Sequence, residues 1–356
     1  MRTVQEIGEI PMIVGLGKAV GSRTMTNADI DAFRGKPTGL TERAMRMTGA
    51  GIEERPWVDD TQTTSRMLAE AIGEALEDAK RHPKDLTAVF IASTSPDRQD
   101  GSLAGRVQSR AGLRIDIPIS TNADACSGFV YAAHRAVTAM TSPYGSIEQG
   151  PVAVASFELM SRNLSKKDSN TILFGDGGGA VILDWRVPRP GYANKIAFAF
   201  GANGGENLVF ANAIRLLAGG TEKPASHETI DADEHRLTLD GDMVQKYAEE
   251  IMPIRLFEAL QRAGLTLDQI DRFVPHQANK LIISNVAFKT GIPLEKVEIV
   301  IDRYGNTSAG SIPITLYEAD RGGKLEEGQY FAAVAFGAGF NSGAMVFPNP
   351  VHSKAM

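Results

Sequence analysis

The chain has 356 residues, 43% apolar and 22% charged, with a formal net charge of −6 and one cysteine. Such a composition describes a globular protein with ample core material, and net acidity with no basic run longer than Lys166-Lys167 argues against nucleic-acid or anionic-membrane partners. One cysteine forms no internal disulfide, no apolar stretch approaches about 18 residues, and the N-terminus lacks a basic segment followed by an apolar one, so a cytoplasmic setting without a transmembrane helix is expected.

In chain order, EALEDAKRHPKDLTAVFIASTS (74–95) predicts a helix, a turn and a buried strand. RAGL (110–113) predicts a helix ending at a glycine cap. In NADACSGFVYAA (122–133) a turn of small residues runs into an apolar stretch that predicts a buried helix. Cys126 then sits at a helix N-terminus, where unpaired N–H groups and the macrodipole favour a thiolate. GDGGG (175–179) precedes the apolar run Ala180 to Leu183. With neither Gly-Lys-Ser/Thr nor a GxGxxG opening a helix, it reads as a tight turn between strands, not a phosphate loop. Residues 187–239, rich in Gly, Asn, Pro and charge, predict a long loop-rich insert of the kind that is functional or a lid.

FEALQRAGLTLDQIDRFVPHQA (257–278) then repeats the helix, turn and strand, ending on His276. KTGI (289–292) repeats the glycine-capped helix end, and RYGNTSAGS holds Asn306. Glu74-Ala75-Leu76 matches Glu258-Ala259-Leu260, Asp85 matches Asp268, and Phe90 matches Phe273, at a steady offset of 183 or 184. Cys126-Ser127-Gly128 falls opposite Ser308-Ala309-Gly310, and ILFGDGGGAVIL (172–183) resembles VAFGAGFNSGAMVF (334–347). The repeat predicts two similar α/β halves, 1–186 and 240–356, flanking the 187–239 insert. A thiolate nucleophile with a histidine and an asparagine, Cys126 with His276 and Asn306, is a recognisable catalytic set. His82, His134, His227, His235 and His352 have no comparable setting and read as structural or surface groups. No metal-ligand cluster is evident.

These motifs resemble the β-ketoacyl-acyl-carrier-protein synthase III family of the thiolase superfamily. TNAD (26–29), GIEER (51–55), ADACSGF (123–129), FGDGGGAVIL (174–183), AGGTEKPAS (218–226), VPHQAN (274–279), YGNTSAG (304–310) and FGAGFNSG (336–343) fall in the family's order, almost end to end. The resemblance implies an internally duplicated five-layered αβαβα fold, normally a homodimer. It implies that Cys126 takes an acyl group from a thioester, and that His276 and Asn306 bind the carbonyl of a malonyl thioester. Loss of carbon dioxide then leaves an enolate that attacks the acyl-cysteine to give a 3-oxoacyl product. The backbone N–H groups of Cys126 and Ala338 would form the oxyanion hole, with Ala338 standing where the family usually has Gly. No cofactor is implied, and the partners are acyl thioesters on coenzyme A or an acyl carrier protein.

The chain departs from the pattern in places. The loop in which a partner-subunit aromatic caps the acyl pocket reads SPDRQDGS (95–102), and the cap position falls at Asp100. Arg98 beside it is placed to pair a distal carboxylate of a charged acyl group, or is simply solvated. The family's adenine-stacking Trp aligns near Met45 and its Arg partner with Ser169, so that clamp is missing. Lys246 and Lys280 fall where basic residues would meet an acidic carrier protein. These departures favour a specialised starter group. The competing readings are an acyltransferase passing the acyl group to oxygen or nitrogen without decarboxylation, and a non-catalytic partner subunit.

Overall fold

The computed structural model describes residues 8–144, 147–187, 195–205, 208–209 and 212–351. The first half runs β1 (Ile10–Val20), β2 (Arg23–Thr26), α1 (Asn27–Arg34), α2 (Leu40–Thr48), β3 (Glu54–Trp57), α3 (Thr64–Asp78), β4 (Ala88–Ala92), α4 (Leu103–Arg110), β5 (Ile119–Asn122), α5 (Gly128–Thr141), β6 (Val152–Glu158) and β7 (Gly177–Arg186). The rest runs β8 (Ala197–Gly201), β9 (Ile214–Leu216), α6 (His227–Asp231), β10 (Leu237–Leu239), α7 (Gly241–Ala263), β11 (Ile270–Pro275), α8 (Lys280–Thr290), α9 (Ile301–Tyr304), α10 (Ser311–Arg321), β12 (Tyr330–Phe336) and β13 (Ser342–Pro348).

The two main sheets repeat one another. The first has the order β1-β7-β6-β4-β5 and the second β11-β12-β13-β8. In each, a parallel pair (β4 with β6, β11 with β12) is extended by antiparallel neighbours. β8 pairs antiparallel with β13 as β1 does with β7, so residues 197–201 belong to the second sheet rather than to an insert. Strand β6 is buried along its whole length, because helices cover both faces of its sheet.

Helices α5 and α10 form the layer between the sheets. Phe129, Val130, Ile312 and Leu316 pack there against Val154 and Val181 of the first sheet and Phe331 and Met345 of the second. Helices α3 and α4 cover the outer face of the first sheet, and α7 and α8 that of the second. This is the five-layered αβαβα duplication expected from the resemblance.

The glycines of GDGGG are not a turn: Gly177, Gly178 and Gly179 open strand β7. A Cβ on Gly178 would sit 2.0 Å from the Ser156 carbonyl oxygen of β6, and one on Gly179 would sit 2.7 Å from that of Gly17 in β1. The reason for glycine there is close strand approach, not turn geometry.

A half-buried network joins the halves near Asn306, and a buried one lies beside it within the first half. The Lys18 ammonium donates to the Tyr304 hydroxyl (2.8 Å) and the Glu318 carboxylate (2.7 Å). The buried Arg55 guanidinium donates to Asn27 Oδ1 (2.9 Å) and to the carbonyls of Met25 (3.3 Å) and Ile172 (2.7 Å). Burial draws Arg55 down to about 10, outweighing the upward pull of the Glu54 charge.

Candidate active site

Cys126 lies in the one-turn 3₁₀ segment Ala125–Ser127 that feeds α5, and the helix-start placement is as the sequence predicts. The equivalent segment of the second half, Ser308–Gly310, feeds α10. The two segments pack on one another. Each opens on a non-glycine residue at positive φ, Ala125 (+47°) and Ser308 (+50°). The repeat is therefore in register at Ala125 and Ser308, one residue away from the Cys126–Ser308 match read from sequence.

Desolvation works against the thiolate that a helix N-terminus favours. Burial pushes the Cys126 thiol up to about 11; the Ser308 hydroxyl pulls the other way and the nearby Glu158 carboxyl pushes further up. Ser308 Oγ donates to Cys126 Sγ at 3.4 Å, and Ser308 N–H donates to Asn306 Oδ1 at 2.9 Å. The repeat places Ser308 opposite Cys126, but no sequence signal marks this contact between them.

Asn306 is held from the other half. Its N–H donates to the Leu173 carbonyl (2.8 Å), and its carbonyl accepts from Gly175 N–H (3.1 Å). With Oδ1 engaged by Ser308, the Nδ2 donor has no protein partner among the described residues and is left to the cavity.

His276 follows strand β11 and is buried. Its Nδ1 lies 2.7 Å from Ser311 Oγ, which also accepts from Gln277 N–H at 3.4 Å. When the Ser311 hydroxyl donates to Nδ1, Nε2 carries the ring proton and is a donor. Burial lowers His276 to about 3, so the ring is neutral at physiological pH.

Ala338 begins the turn after β12. A Cβ on the preceding Gly337 would sit 2.5 Å from the backbone nitrogen of Cys126, so this turn lies directly against the nucleophile's amide. Gly337 has extended backbone (φ −158°), so glycine is required by space rather than by conformation.

Cys126, His276, Asn306, Ser308 and Ala338 line one cavity of about 330 Å³. Its apolar wall includes Met160, Phe174, Ile214, Leu216, Leu237 and Leu239. Four of these come from the ribbon in which β9 pairs antiparallel with β10, so part of the predicted insert is a wall of the site. The one charged residue at the wall among the described residues, Arg215, is exposed and sits opposite Thr238 in that ribbon.

Other predicted residues lie elsewhere. Arg98 and Asp100 are exposed and do not line the cavity of their own chain. Asp97 caps α3 through Ser65 N–H (2.9 Å) and Ser65 Oγ (2.5 Å). Met45 is buried in the core and Ser169 is exposed. Lys246 and Lys280 are exposed, each within two residues of a cavity-lining side chain, Val244 and Asn279. The Lys280 stem packs over Gly51 beside the acidic Glu42, Glu53 and Asp302. His134 packs on Phe198 and Phe200, and His235 pairs with Thr229, in structural roles; His352 lies outside the described residues. Among the described residues no helix is long and apolar enough to cross a membrane, and no cluster of His, Cys, Asp and Glu is placed to hold a metal ion.

A duplicated αβαβα fold with a cysteine, a histidine and an asparagine converging on one cavity is that of the thiolase-fold acyltransferases. Residues 121–204 match the family described as 3-oxoacyl-[acyl-carrier-protein] synthase III, and residues 260–348 match its C-terminal part. The chain is 36% identical over 332 residues to the β-ketoacyl-[acyl-carrier-protein] synthase III of Caldanaerobacter subterraneus subsp. tengcongensis, covering 92% of this chain and 94% of that one. It is 38% identical over 306 residues to that of Chlorobaculum tepidum, covering 84% and 88%. The crystal structure of the Thermus thermophilus enzyme superposes with a TM-score of 0.81 at 31% identity, over 95% of this chain and 98% of that one. The chain belongs to the β-ketoacyl-[acyl-carrier-protein] synthase III family and is an acyltransferase.

Proposed function

We propose that this enzyme joins an acyl thioester to a malonyl thioester through an acyl-Cys126 intermediate. Cys126 Sγ attacks the first thioester; the new Cys–acyl bond replaces the old one, and the cysteine's proton ends on the departing thiol. The tetrahedral oxyanion is met by the N–H groups of Cys126 and Ala338. The malonyl thioester then binds with its carbonyl oxygen toward Asn306 Nδ2 and His276 Nε2. Its carboxylate leaves as carbon dioxide, the electron pair forms the enolate, and the enolate carbon attacks the acyl-cysteine. The 3-oxoacyl thioester departs, and Sγ recovers a proton from solvent. No other group enters the balance.

The observation that carries this reading is the state of His276. A neutral imidazole, tied at Nδ1 to Ser311 and lowered to about 3, is a donor and a very weak base. A donor suits an enolate oxygen. The acyltransferase alternative needs a base to activate an alcohol or amine, and this histidine serves it poorly.

The aliphatic wall that the chain itself gives the cavity supports a hydrocarbon starter. The relatives are named for a β-ketoacyl group on an acyl carrier protein, and carriage of the extender on such a protein fits exposed Lys246 and Lys280 beside the cavity. A homodimer would bring a second copy's 95–102 loop to this pocket.

Intact-protein mass spectrometry with a panel of acyl-coenzyme A thioesters, paired with carbon dioxide release from a malonyl thioester, tests the scheme. A straight-chain adduct absent in Cys126→Ala is expected. Asn306→Ala should keep the adduct and slow carbon dioxide release about 100-fold. An adduct that survives Cys126→Ala, or equal loss of both steps in Asn306→Ala, overturns it.

A further inference from the structure

The two central turns have diverged chemically while keeping the same backbone. One presents Cys126 at its second position and the other presents Ser308 at its first, and they face each other across the junction of the halves. Ser308 is nearly buried, with its backbone in the left-handed region at φ +50°. Non-glycine residues are held there at a cost, and such sites cluster where function requires them. From this position its two donors diverge: Oγ–H to the Cys126 sulfur (3.4 Å) and N–H to Asn306 Oδ1 (2.9 Å). No other side chain among the described residues donates to that sulfur.

We propose that Ser308 is a further catalytic residue: its hydroxyl stabilises Cys126 as a thiolate during acyl loading, while its amide fixes the Asn306 side chain for decarboxylation. The first role touches the reacting atom, and the second acts through Asn306. The proposal rests on Cys126 being the acylated nucleophile. The physical reason is plain. A buried sulfur gains a negative charge as it attacks and gives it up as the acyl bond forms. A hydrogen bond to a charged acceptor is worth more than one to a neutral acceptor. The hydroxyl therefore helps the attacking state more than the resting thiol. The amide role does not depend on the side chain, so the two functions separate on mutation.

The test uses the chain's single cysteine, which makes alkylation report one site. Iodoacetamide modification of Cys126 is followed by intact mass from pH 6 to 10, in wild type, Ser308→Ala and Ser308→Gly. Ala125 occupies the equivalent position at φ +47°, so alanine is compatible with this turn, and glycine favours it outright. Both variants should alkylate about 10-fold more slowly across this range, all of which lies below the thiol's inflection. Acyl loading should fall in parallel, while carbon dioxide release by enzyme already acylated stays within about two-fold of wild type. A superimposed alkylation profile in either folded variant overturns the role of the hydroxyl. So does a slow alanine variant beside a normal glycine variant, because the effect would then be backbone strain. Slowed carbon dioxide release in both variants would overturn the separation of the two roles. Wild type that alkylates normally but never carries an acyl adduct would instead sink the acyl-enzyme reading and leave the hydrogen bond standing.

Discussion

Glu158 shows how a single buried group shapes the dependence of stability on pH. Its carboxylate accepts from Thr94 N–H (2.9 Å), Thr94 Oγ (3.0 Å) and Ser95 Oγ (2.6 Å), yet burial outweighs these bonds and raises it to about 7 from 4.5. Between those values the folded protein keeps a proton that the unfolded chain has lost, so stability falls as pH rises through that window and is level above it. His276 acts in the opposite sense. At about 3 folded against 6.5 unfolded, it adds stability as pH rises from about 3 to 6.5. Glu158→Gln removes the first slope and keeps the second. The difference in Tm, variant minus wild type, should therefore grow from pH 4.5 to 7 and then level off in a series of melts; a constant difference would mean that Glu158 does not titrate there. At this scale the sequence was partly legible. Cys126, His276 and Asn306 announced themselves by motif, and one cavity holds all three. The desolvation of the thiol did not, because burial is a property of the assembled layers and no local pattern encodes it.

Elements carried more of the message. The repeated helix, turn and strand reads correctly in both halves, since local apolar periodicity decides those pieces. Two segments escaped. Ala197–Gly201 is a core strand only because β13 lies beside it, and Gly177–Gly179 are strand residues only because neighbouring backbones crowd them. The turn after β12 was assigned its role through Ala338, but the tighter constraint is one residue earlier. Gly337→Ala would push a methyl group to 2.5 Å from the Cys126 nitrogen, a backbone atom that cannot swing away. The turn must move, at a cost of about 1–3 kcal/mol. Acyl loading should fall far more than stability, because the displaced amide of Ala338 is the one proposed to meet the oxyanion. Loading at wild-type rate, measured by mass in Gly337→Ala, would show that the turn is not part of the oxyanion site.

Across the whole molecule, the halves share a middle layer and a site, so neither is complete alone. The 1–186 and 240–356 division is a sequence pattern; the packing of α5 and α10 between both sheets makes one cooperative core. Arg55 acts on that union from within the first half, because its guanidinium serves the carbonyl of Ile172 one residue before the Leu173 carbonyl that holds Asn306. Arg55→Leu strands those buried acceptors and should cost about 3 kcal/mol. Calorimetry should register a lower Tm in a transition that remains single. Two separated transitions in wild type would contradict the shared core.

The burial of His276 bears finally on timing. An imidazole that releases its proton at about pH 3 does little to turn a stray water into a nucleophile. On the proposed chemistry, the loaded enzyme can then idle between its two visitors without wasting its cargo. Its shelf life in the absence of the second thioester becomes a quantity set by the fold.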